Sequence, residues 1–219
     1  MTYIILFLAP IVFVFCIWKV LPLSLLIILP RPNSRFHKDP DALISKRKKQ
    51  LIKEITEKIE ALGFIRLGIK VEKSPLWAKA VKELTLASIK EQTFASIFIR
   101  KNEVIYYYYT PFIDGRAVLT SSGAFTAITA NGLLQSAIAS TAPEDILAVH
   151  QKQVGVFCSK GSQPYQDYTQ DSRIKATNQY YNIPQVRKRM RLYGLAALVI
   201  VIIGCYPFVD LVIRFLSES

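Results

Sequence analysis

The chain has 219 residues, a formal net charge of +12 and a hydrophobic content of 51%, which is at the upper edge for soluble proteins. Its apolar residues are concentrated in two blocks, residues 3–29 and 192–216, and the segment between them has the composition of a soluble domain large enough to bury its own core. Two of the three cysteines lie inside the blocks. This excludes a disulfide framework and a cysteine-based metal site, and it fits a reducing compartment.

The first apolar block is long enough to cross a membrane, because a transmembrane helix needs about 20 apolar residues and this block has 27. A secretory signal peptide is the main alternative. However, the start of the chain has no charged side chain, and no small-residue cleavage site follows the block. We therefore predict a retained N-terminal span.

Lys19 interrupts the first block and has two interpretations. A charge inside the hydrocarbon is costly and marks a functional site. Alternatively, residues 2–18 span the membrane, and the long Lys19 side chain reaches the cytoplasmic interface. We prefer the second interpretation, because Pro22 offers a break in the helix and residues 22–30 would then lie among the headgroups.

The second block is apolar without interruption from residue 192 to residue 209. Its length and its position directly after a basic cluster favour a transmembrane helix over the buried core helix of a soluble protein. Asp210 and Arg214 follow, four residues apart. On a helix they share a face and are predicted to pair near the outer end of the span.

Basic residues flank both blocks on the side of the central segment, whereas the two ends of the chain carry almost no positive charge. The positive-inside rule therefore predicts that the central segment is cytoplasmic and that both termini lie outside. The flanking cations should attract anionic lipid headgroups, and they explain the net charge without nucleic-acid binding. The predicted membrane-surface residues are Arg31, Arg35, Lys38, Lys46, Arg47, Lys48, Lys49, Arg187, Lys188, Arg189 and Arg191.

The predicted organisation has five parts along the chain. They are an N-terminal anchor (1–30), a basic linker (31–45), a cytoplasmic domain (46–158), a polar connector with a basic juxtamembrane segment (159–191) and a C-terminal transmembrane helix (192–216). Residues 159–183 are rich in polar residues and read as a loose connector. A helix from Tyr165 that joins the second span is the alternative.

The cytoplasmic domain is predicted to begin with a helix from Asp41 or Ser45 to residue 62, ended by Gly63 and supported by a Glu54–Lys58 pair. A strand over residues 64–73 follows. It places Ile65, Leu67, Ile69 and Val71 towards the core and Arg66, Lys70 and Glu72 towards solvent. Residues 74–92 fit either a helix, through Trp77, or a strand.

Alternating patterns and turn residues then predict strands at residues 93–100, 103–110, 116–120, 125–130 and 133–139, with Asn131-Gly132 as a hairpin turn. Thr141 and Glu144 form the capping box of a second helix that runs to about residue 154. The fold class is therefore α+β: a helix, an antiparallel sheet of about five strands and a helix, flanked by two transmembrane helices.

Four consecutive tyrosines, residues 106–109, lie in one predicted strand. Their side chains alternate, so two should pack in the core and two should line the solvent face. The alternative is an exposed aromatic face for a ligand or partner.

Few residues offer catalytic chemistry. There is no phosphate-binding loop or dinucleotide fingerprint, two histidines cannot form a standard zinc site, and we predict no cofactor and no metal. The candidates for catalysis are His150, Asp114 and Thr120. His150 is more typical of a helix-surface or packing histidine.

The segments ALGFIRLG, TFASIFI, TPFIDGRAVLTSSG and PEDILAVHQKQV, between residues 60 and 154, are similar to a set of bacterial proteins that pair a transmembrane anchor with a small α+β domain. The resemblance implies this fold and anchoring in a bacterial plasma membrane, but it gives no indication of an activity. The positions that it singles out are Thr110, Asp114, Gly115, Thr120 and His150.

The sequence therefore favours a two-span membrane protein whose cytoplasmic α+β domain binds a protein or lipid partner, or a second copy of the chain, without catalysis. One alternative is a membrane-bound enzyme that uses His150 near the Asp114 turn. Another is a subunit of an oligomeric channel or transporter, which requires Lys19, Asp210 or Arg214 to face other helices.

Overall fold

The computed structural model describes residues 2–29, 31–37, 46–74, 80–100, 103–123, 127–130, 132–140 and 142–217. The chain divides into two compact units. The helical unit comprises Met1–Asn33, Lys73–Ala80 and Pro184–Ser219, and the sheet unit comprises Ser34–Glu72 and Val81–Ile183. The predicted positions Lys38, Trp77, Asn131 and Thr141 lie outside the described residues.

The helical unit contains two helical segments. The first runs through α1 (Thr2–Phe15), a π-helical turn (Cys16–Val20), α2 (Leu21–Ser24) and a 3₁₀ turn (Leu25–Ile27). The second is α6 (Pro184–Ser217). Both segments are long and apolar enough to cross a membrane, and only 22% and 11% of their most apolar windows are buried.

The predicted break at Pro22 is wrong, because the helix continues through it. Proline lacks an N–H group, but it is tolerated in the first turn of a helix, and Pro22 lies in the first turn of α2. The wider π-helical turn directly precedes it, and the Leu21 N–H donates to the Cys16 carbonyl. The change of helix type therefore accommodates the proline without ending the segment.

The sheet unit contains three helices and eight strands among the described residues. The helices are α3 (Lys46–Ala61), α4 (Pro143–Cys158) and α5 (Gln170–Asn182). The strands are β1 (Asn33–Phe36), β2 (Ile65–Lys73), β3 (Val81–Ser88), β4 (Thr93–Arg100), β5 (Glu103–Pro111), β6 (Ala117–Ser121), β7 (Ile128–Ala130) and β8 (Leu133–Ala137). Their order in the sheet is β1-β2-β3-β4-β5-β6-β8-β7.

The fold is α+β as predicted, but the sheet is mixed and has eight strands rather than about five. The prediction missed β1 in the supposed linker and left β3 unresolved. The β7–β8 hairpin is confirmed, with Ala130 opposite Leu133. β7 lies at the edge of the sheet, and β8 lies between β7 and β6. β8 pairs with β6 in parallel.

Helices cover both faces of the sheet. The Tyr108 hydroxyl donates to the Pro143 carbonyl of α4, and the Tyr109 hydroxyl donates to the Ala176 carbonyl of α5. We call the first side the α4 face and the second the α5 face. All four tyrosines are buried, so the prediction that two line a solvent face is wrong. The reason is that residues 170–182 form a helix over the second face rather than a loose connector.

A β-bulge corrects the predicted alternation in β2. The pairing with β3 shifts between Arg66 and Gly68, and Gly68 has a φ of +124°. Ile65 therefore lies on the opposite face from Ile69 and is exposed. Lys70 does point away from Ile69, as predicted. However, α5 covers that face, and Lys70 is among the most buried side chains of the protein.

The helix boundaries follow local signals in most cases. Gly63, with a φ of +85°, lies just after α3, and Lys58 bonds to Glu54 at 2.7 Å, as predicted. α4 begins at Pro143 after Ala142, which makes no side-chain cap. At α5, Thr169 and Ser172 form a reciprocal capping box. This box uses serine where the usual pattern has a glutamate or glutamine, so it was missed in the sequence.

Candidate functional site

The candidate residue His150 lies inside the sheet unit on the α4 face and is completely buried. Its Nε2 lies 2.9 Å from Thr110 Oγ1 on β5, and its Nδ1 lies 3.0 Å from Thr120 Oγ1 on β6. Burial lowers the pKa of His150 to about 3, so the ring is neutral at physiological pH. The structure thus brings His150 and Thr120 together, but without access for a substrate.

A chain of neutral hydrogen bonds extends from both ring nitrogens. Thr110 continues to Thr93 at 2.8 Å, and Thr120 donates to Gln153 Oε1 at 2.9 Å. The Thr110 hydroxyl also donates to the Gln92 carbonyl at 3.0 Å, so each ring nitrogen of His150 faces a threonine hydroxyl that is bonded to a further acceptor. We call this set the histidine network; it consists of Thr93, Thr110, Thr120, Ser136, His150, Gln151 and Gln153.

Asp114 does not join the histidine network. It lies in the turn between β5 and β6, where its carboxylate accepts from the Arg116 backbone N–H at 3.0 Å and from Arg116 Nε at 2.9 Å. Partial burial raises its pKa, but the hydrogen bonds from Arg116 and Ser162 hold the pKa below the usual value. Gly115 adopts a φ of +91° there. These positions are therefore explained by the geometry of the turn.

The most unusual buried chemistry lies on the α5 face and was not predicted. Lys70 Nζ lies 2.5 Å from Glu72 Oε1 and 3.1 Å from Glu83 Oε2. Arg173, from α5, lies 3.8 Å from Glu83 Oε2. We call this set the charged cluster; it consists of Lys70, Glu72, Glu83 and Arg173 with the hydroxyl groups of Ser96, Tyr107, Thr177 and Tyr181.

Hydroxyl groups add hydrogen bonds to the charged cluster, in which Arg173 Nε is buried without a partner among the described residues. The Tyr107 hydroxyl donates to Glu83 at 2.8 Å and accepts from Arg173 Nη2 at 2.9 Å. The Tyr181 hydroxyl donates to Glu72 at 2.9 Å. Two cations and two anions balance, so the cluster carries no net charge. A balanced, hydrogen-bonded set is the form in which buried charges are tolerated.

The charges of the cluster also set its ionisation. Burial raises the pKa of Glu72, but the ammonium of Lys70, with smaller effects from Arg173 and Tyr181, holds the pKa below its usual value. Burial and then the charge of Glu83 raise the pKa of Tyr107 far above its usual value, so its hydroxyl stays protonated.

The helical unit brings its two segments into close contact. A Cβ atom added to Gly194 would lie 2.7 Å from the Ile27 nitrogen, and one added to Gly204 would lie 2.4 Å from Cys16 Sγ. The rings of Phe13 and Phe208 are 4.5 Å apart. Small residues at the contact of two helices are typical of packing in membranes. The buried positions of α6 are Val186, Gly194, Ala197 and Val201.

The Cys205 thiol also lies within hydrogen-bonding reach of Cys16, so two cysteines that the sequence left unconnected meet between the segments. Asp210 and Arg214 pair at 2.9 Å, as predicted.

The predicted membrane-surface residues occur in both units. Arg31, in the helical unit, and Arg35, on β1 in the sheet unit, are exposed. Lys46, Arg47, Lys48 and Lys49 form the first turn of α3. Arg187, Lys188, Arg189 and Arg191 lie in the first turns of α6, where Arg189 Nε donates to the Tyr193 hydroxyl at 2.8 Å.

Comparisons with protein-family models, with curated protein sequences and with solved structures each found no match. Within the described part of the chain, no group of three or more histidine, cysteine, aspartate or glutamate side chains is placed to hold a metal ion.

Proposed function

We propose that this chain is an integral membrane protein, held by a hairpin of two transmembrane helices, whose α+β domain lies in the cytoplasm and binds a protein partner. The observation that carries the proposal is the surface of α6. Gly194 and Gly204 approach the first segment closely, whereas most of the apolar side chains of α6 are exposed. Exposing such an apolar surface to water is unfavourable, whereas exposing it to the hydrocarbon of a bilayer is favourable.

The orientation follows from the charges at the two ends of the hairpin. Residue 27 lies beside Gly194, so Arg31 and the basic start of α6 are at the same end. The positive-inside rule places this end in the cytoplasm. The sheet unit is formed by the chain between the two segments, and the proposal therefore places it on the cytoplasmic side.

Binding is favoured over catalysis by the state of the polar side chains. His150 is buried and neutral, Asp114 is held by Arg116, and the charged cluster is closed within itself. A general acid or base must reach its substrate within about 3 Å. His150 and the charged cluster are buried and lack that access, and the partly exposed carboxylate of Asp114 is bonded to Arg116.

The binding surface that we propose is one end of the sheet. The start of β2, the end of β3 and the end of β5 meet there, because β2 to β5 pair in antiparallel order. Three isoleucines project from this end: Ile65 and Ile89, each 73% exposed, and Ile113, 62% exposed. Ile65 and Ile89 belong to the ends of adjacent strands, and β4 lies between them and Ile113. We call these three exposed side chains the isoleucine row.

A protein surface fits the isoleucine row better than anionic lipid does. Three nearby cations lie beside carboxylates: Arg66 pairs with Glu60, Lys90 with Glu91 and Arg116 with Asp114. An uncharged apolar row favours an apolar partner surface.

Topology is tested with the exposed Cys158 as the single cysteine, after Cys16→Ser and Cys205→Ser. In cells that express the full chain, we expect a membrane-impermeant maleimide to label Cys158 only after permeabilisation. A Ser217→Cys variant without Cys158 is the matched control and should be labelled in intact cells. Labelling of Cys158 in intact cells would overturn the proposed orientation.

The hairpin is tested by oxidative cross-linking in membranes. With Cys158→Ser, oxidation by copper phenanthroline should join Cys16 to Cys205 within one chain and change its mobility on a non-reducing gel. The change should be absent when Cys16 is also replaced by serine. A full-length chain that shows no cross-link would contradict the contact between the two segments.

Binding is tested by purifying the full chain from mild detergent together with its bound proteins. We expect a stoichiometric protein partner that is lost from an Ile89→Asp/Ile113→Asp variant. Val81→Asp is the matched control, since Val81 is exposed at the opposite end of the sheet, and it should keep the partner. A copurifying small molecule in place of a protein, or a partner retained by the double variant, would contradict the proposal.

A further inference from the structure

Lys19 is the one described charge that lies between the two ends of the hairpin. The contacts of Cys16 with Gly204 and of Ile27 with Gly194 fix the register of the two segments. Interpolation between them places Lys19 level with Val201. That level lies ten residues, or about 15 Å, beyond Arg191 and nine residues, or about 14 Å, before Asp210. Lys19 is therefore halfway along the apolar part of α6.

The charges at the two ends of α6 fit a single bilayer. The uncharged stretch between Arg191 and Asp210 is about 27 Å long at 1.5 Å per residue, and a hydrocarbon core is about 30 Å thick. With Arg191 at one surface and the Asp210–Arg214 pair at the other, Lys19 lies near the centre. A lysine side chain extends about 6 Å from its Cα at ordinary bond lengths, which is less than half the distance to either surface.

Lys19 is also exposed, and the described residues of the hairpin offer it no partner. Among the described residues of the helical unit the one acidic residue is Asp210, which is paired with Arg214. A second copy in the same orientation would present its Asp210 at a level about 14 Å away, beyond the reach of Lys19. Charges inside membranes are rare and are paired or face a protein interior.

We infer that Lys19 binds a carboxylate carried near the middle of a transmembrane helix of another protein, so that the exposed face of α1 is an assembly surface. This inference rests on the proposed membrane insertion. It specifies the chemistry of the partner: a span with an aspartate or glutamate near its centre. In the simpler interpretation Lys19 reaches the anionic headgroups at the cytoplasmic surface. In this inference its carboxylate partner lies near the centre of the bilayer.

The test uses the full chain in vesicles of zwitterionic phosphatidylcholine and three synthetic leucine-rich transmembrane peptides. The first has a glutamate at its centre, the second a glutamine at the same position and the third a glutamate near the cytoplasmic end. Association is measured by energy transfer between the labelled chain and peptide. We expect the central-glutamate peptide to bind about tenfold more tightly than either of the others.

Variants of the chain identify the group responsible. Lys19→Met should reduce binding of the central-glutamate peptide to the level of the glutamine peptide, and Lys19→Arg should retain most of the difference. Arg191→Met is the matched control, because it removes a cation at the membrane surface, and it should leave binding unchanged.

Two results would overturn the inference while leaving the proposed function intact: equal binding of the central glutamate and glutamine peptides, or tighter binding of the peptide with glutamate near its end. Release of the chain from the vesicles by alkaline carbonate would overturn the membrane insertion, and the inference with it.

Discussion

The two faces of the sheet are sealed by different chemistry. On the α4 face, His150 joins Thr110 and Thr120 through neutral hydrogen bonds. On the α5 face, Lys70 and Arg173 are buried against Glu72 and Glu83. A neutral network gains modest stability from each bond, whereas a buried charge is costly once a partner is lost. The comparison therefore predicts that the α5 face is more sensitive to a single change.

The largest expected effect is the loss of one charge from the charged cluster. Lys70→Met leaves two buried carboxylates with Arg173 as the one remaining cation, and it should cost about 3–5 kcal/mol of unfolding free energy. The measurement is chemical denaturation of the full chain in detergent, followed by the near-ultraviolet circular dichroism of the buried tyrosines.

Two variants control this prediction. Lys70→Met/Glu83→Gln restores neutrality and should recover part of the loss. Lys58→Met breaks the exposed Glu54–Lys58 pair and should leave the unfolding free energy almost unchanged. A small effect of Lys70→Met would show that the cluster does not support the α5 face as described.

Adjacent tyrosines compare the faces directly. Tyr107 bonds to Glu83 and Arg173, so Tyr107→Phe should cost about 1.5–3 kcal/mol, the range for hydrogen bonds to charged groups. The hydroxyl of Tyr106 is buried on the α4 face without a hydrogen-bond partner in the described structure. Tyr106→Phe should therefore be neutral or slightly stabilising. Equal losses for the two variants would remove the distinction between the faces.

The two faces of the sheet should lose stability in different pH ranges. The pKa of His150 is lowered from 6.5 to about 3, so the unfolded chain binds the proton more readily. The stability linked to His150 is complete above pH 6.5 and is lost as the pH falls from 6.5 towards 3. At pH 5 this loss should be about 2 kcal/mol at 1.36 kcal/mol per unit.

The pKa of Glu72 is also lowered. Its contribution is therefore present above its unfolded pKa, about 4.3, and is lost as the pH falls through the folded value.

The pH dependence linked to His150 is measured by hydrogen exchange of the full chain between pH 7.5 and 5. Exchange near His150 should show opening at the lower pH, and His150→Gln should abolish this pH dependence. An unchanged slope in that variant would assign the effect to another group.

A smaller effect than that of Lys70→Met is expected from the loss of a single hydroxyl of the histidine network. Thr120→Val removes bonds to His150 and Gln153 but keeps the shape of the side chain, and it should cost about 1 kcal/mol. Hydrogen exchange of β6 in the full chain provides the measurement. A loss as large as that of Lys70→Met would contradict the view that the α4 face tolerates the removal of one neutral bond.

The sequence predicted those features that depend on neighbouring residues. Gly63 lies just after α3, Asp114-Gly115 forms a turn, and Glu54 pairs with Lys58. The two long apolar segments were also found, because length and composition alone make a helix able to cross a membrane. The α+β class followed from the order of such segments.

Contacts between distant residues decided the rest. Lys70 looked like a solvent-facing residue because alternation tells which side of a strand a residue occupies, but not what covers that side. Only α5, about 100 residues further along the chain, makes that side an interior and brings Arg173 to Glu83. Likewise, the depth of Lys19 depends on which residue of α6 lies beside it. Periodicity is local, whereas burial and pairing depend on how the whole chain folds.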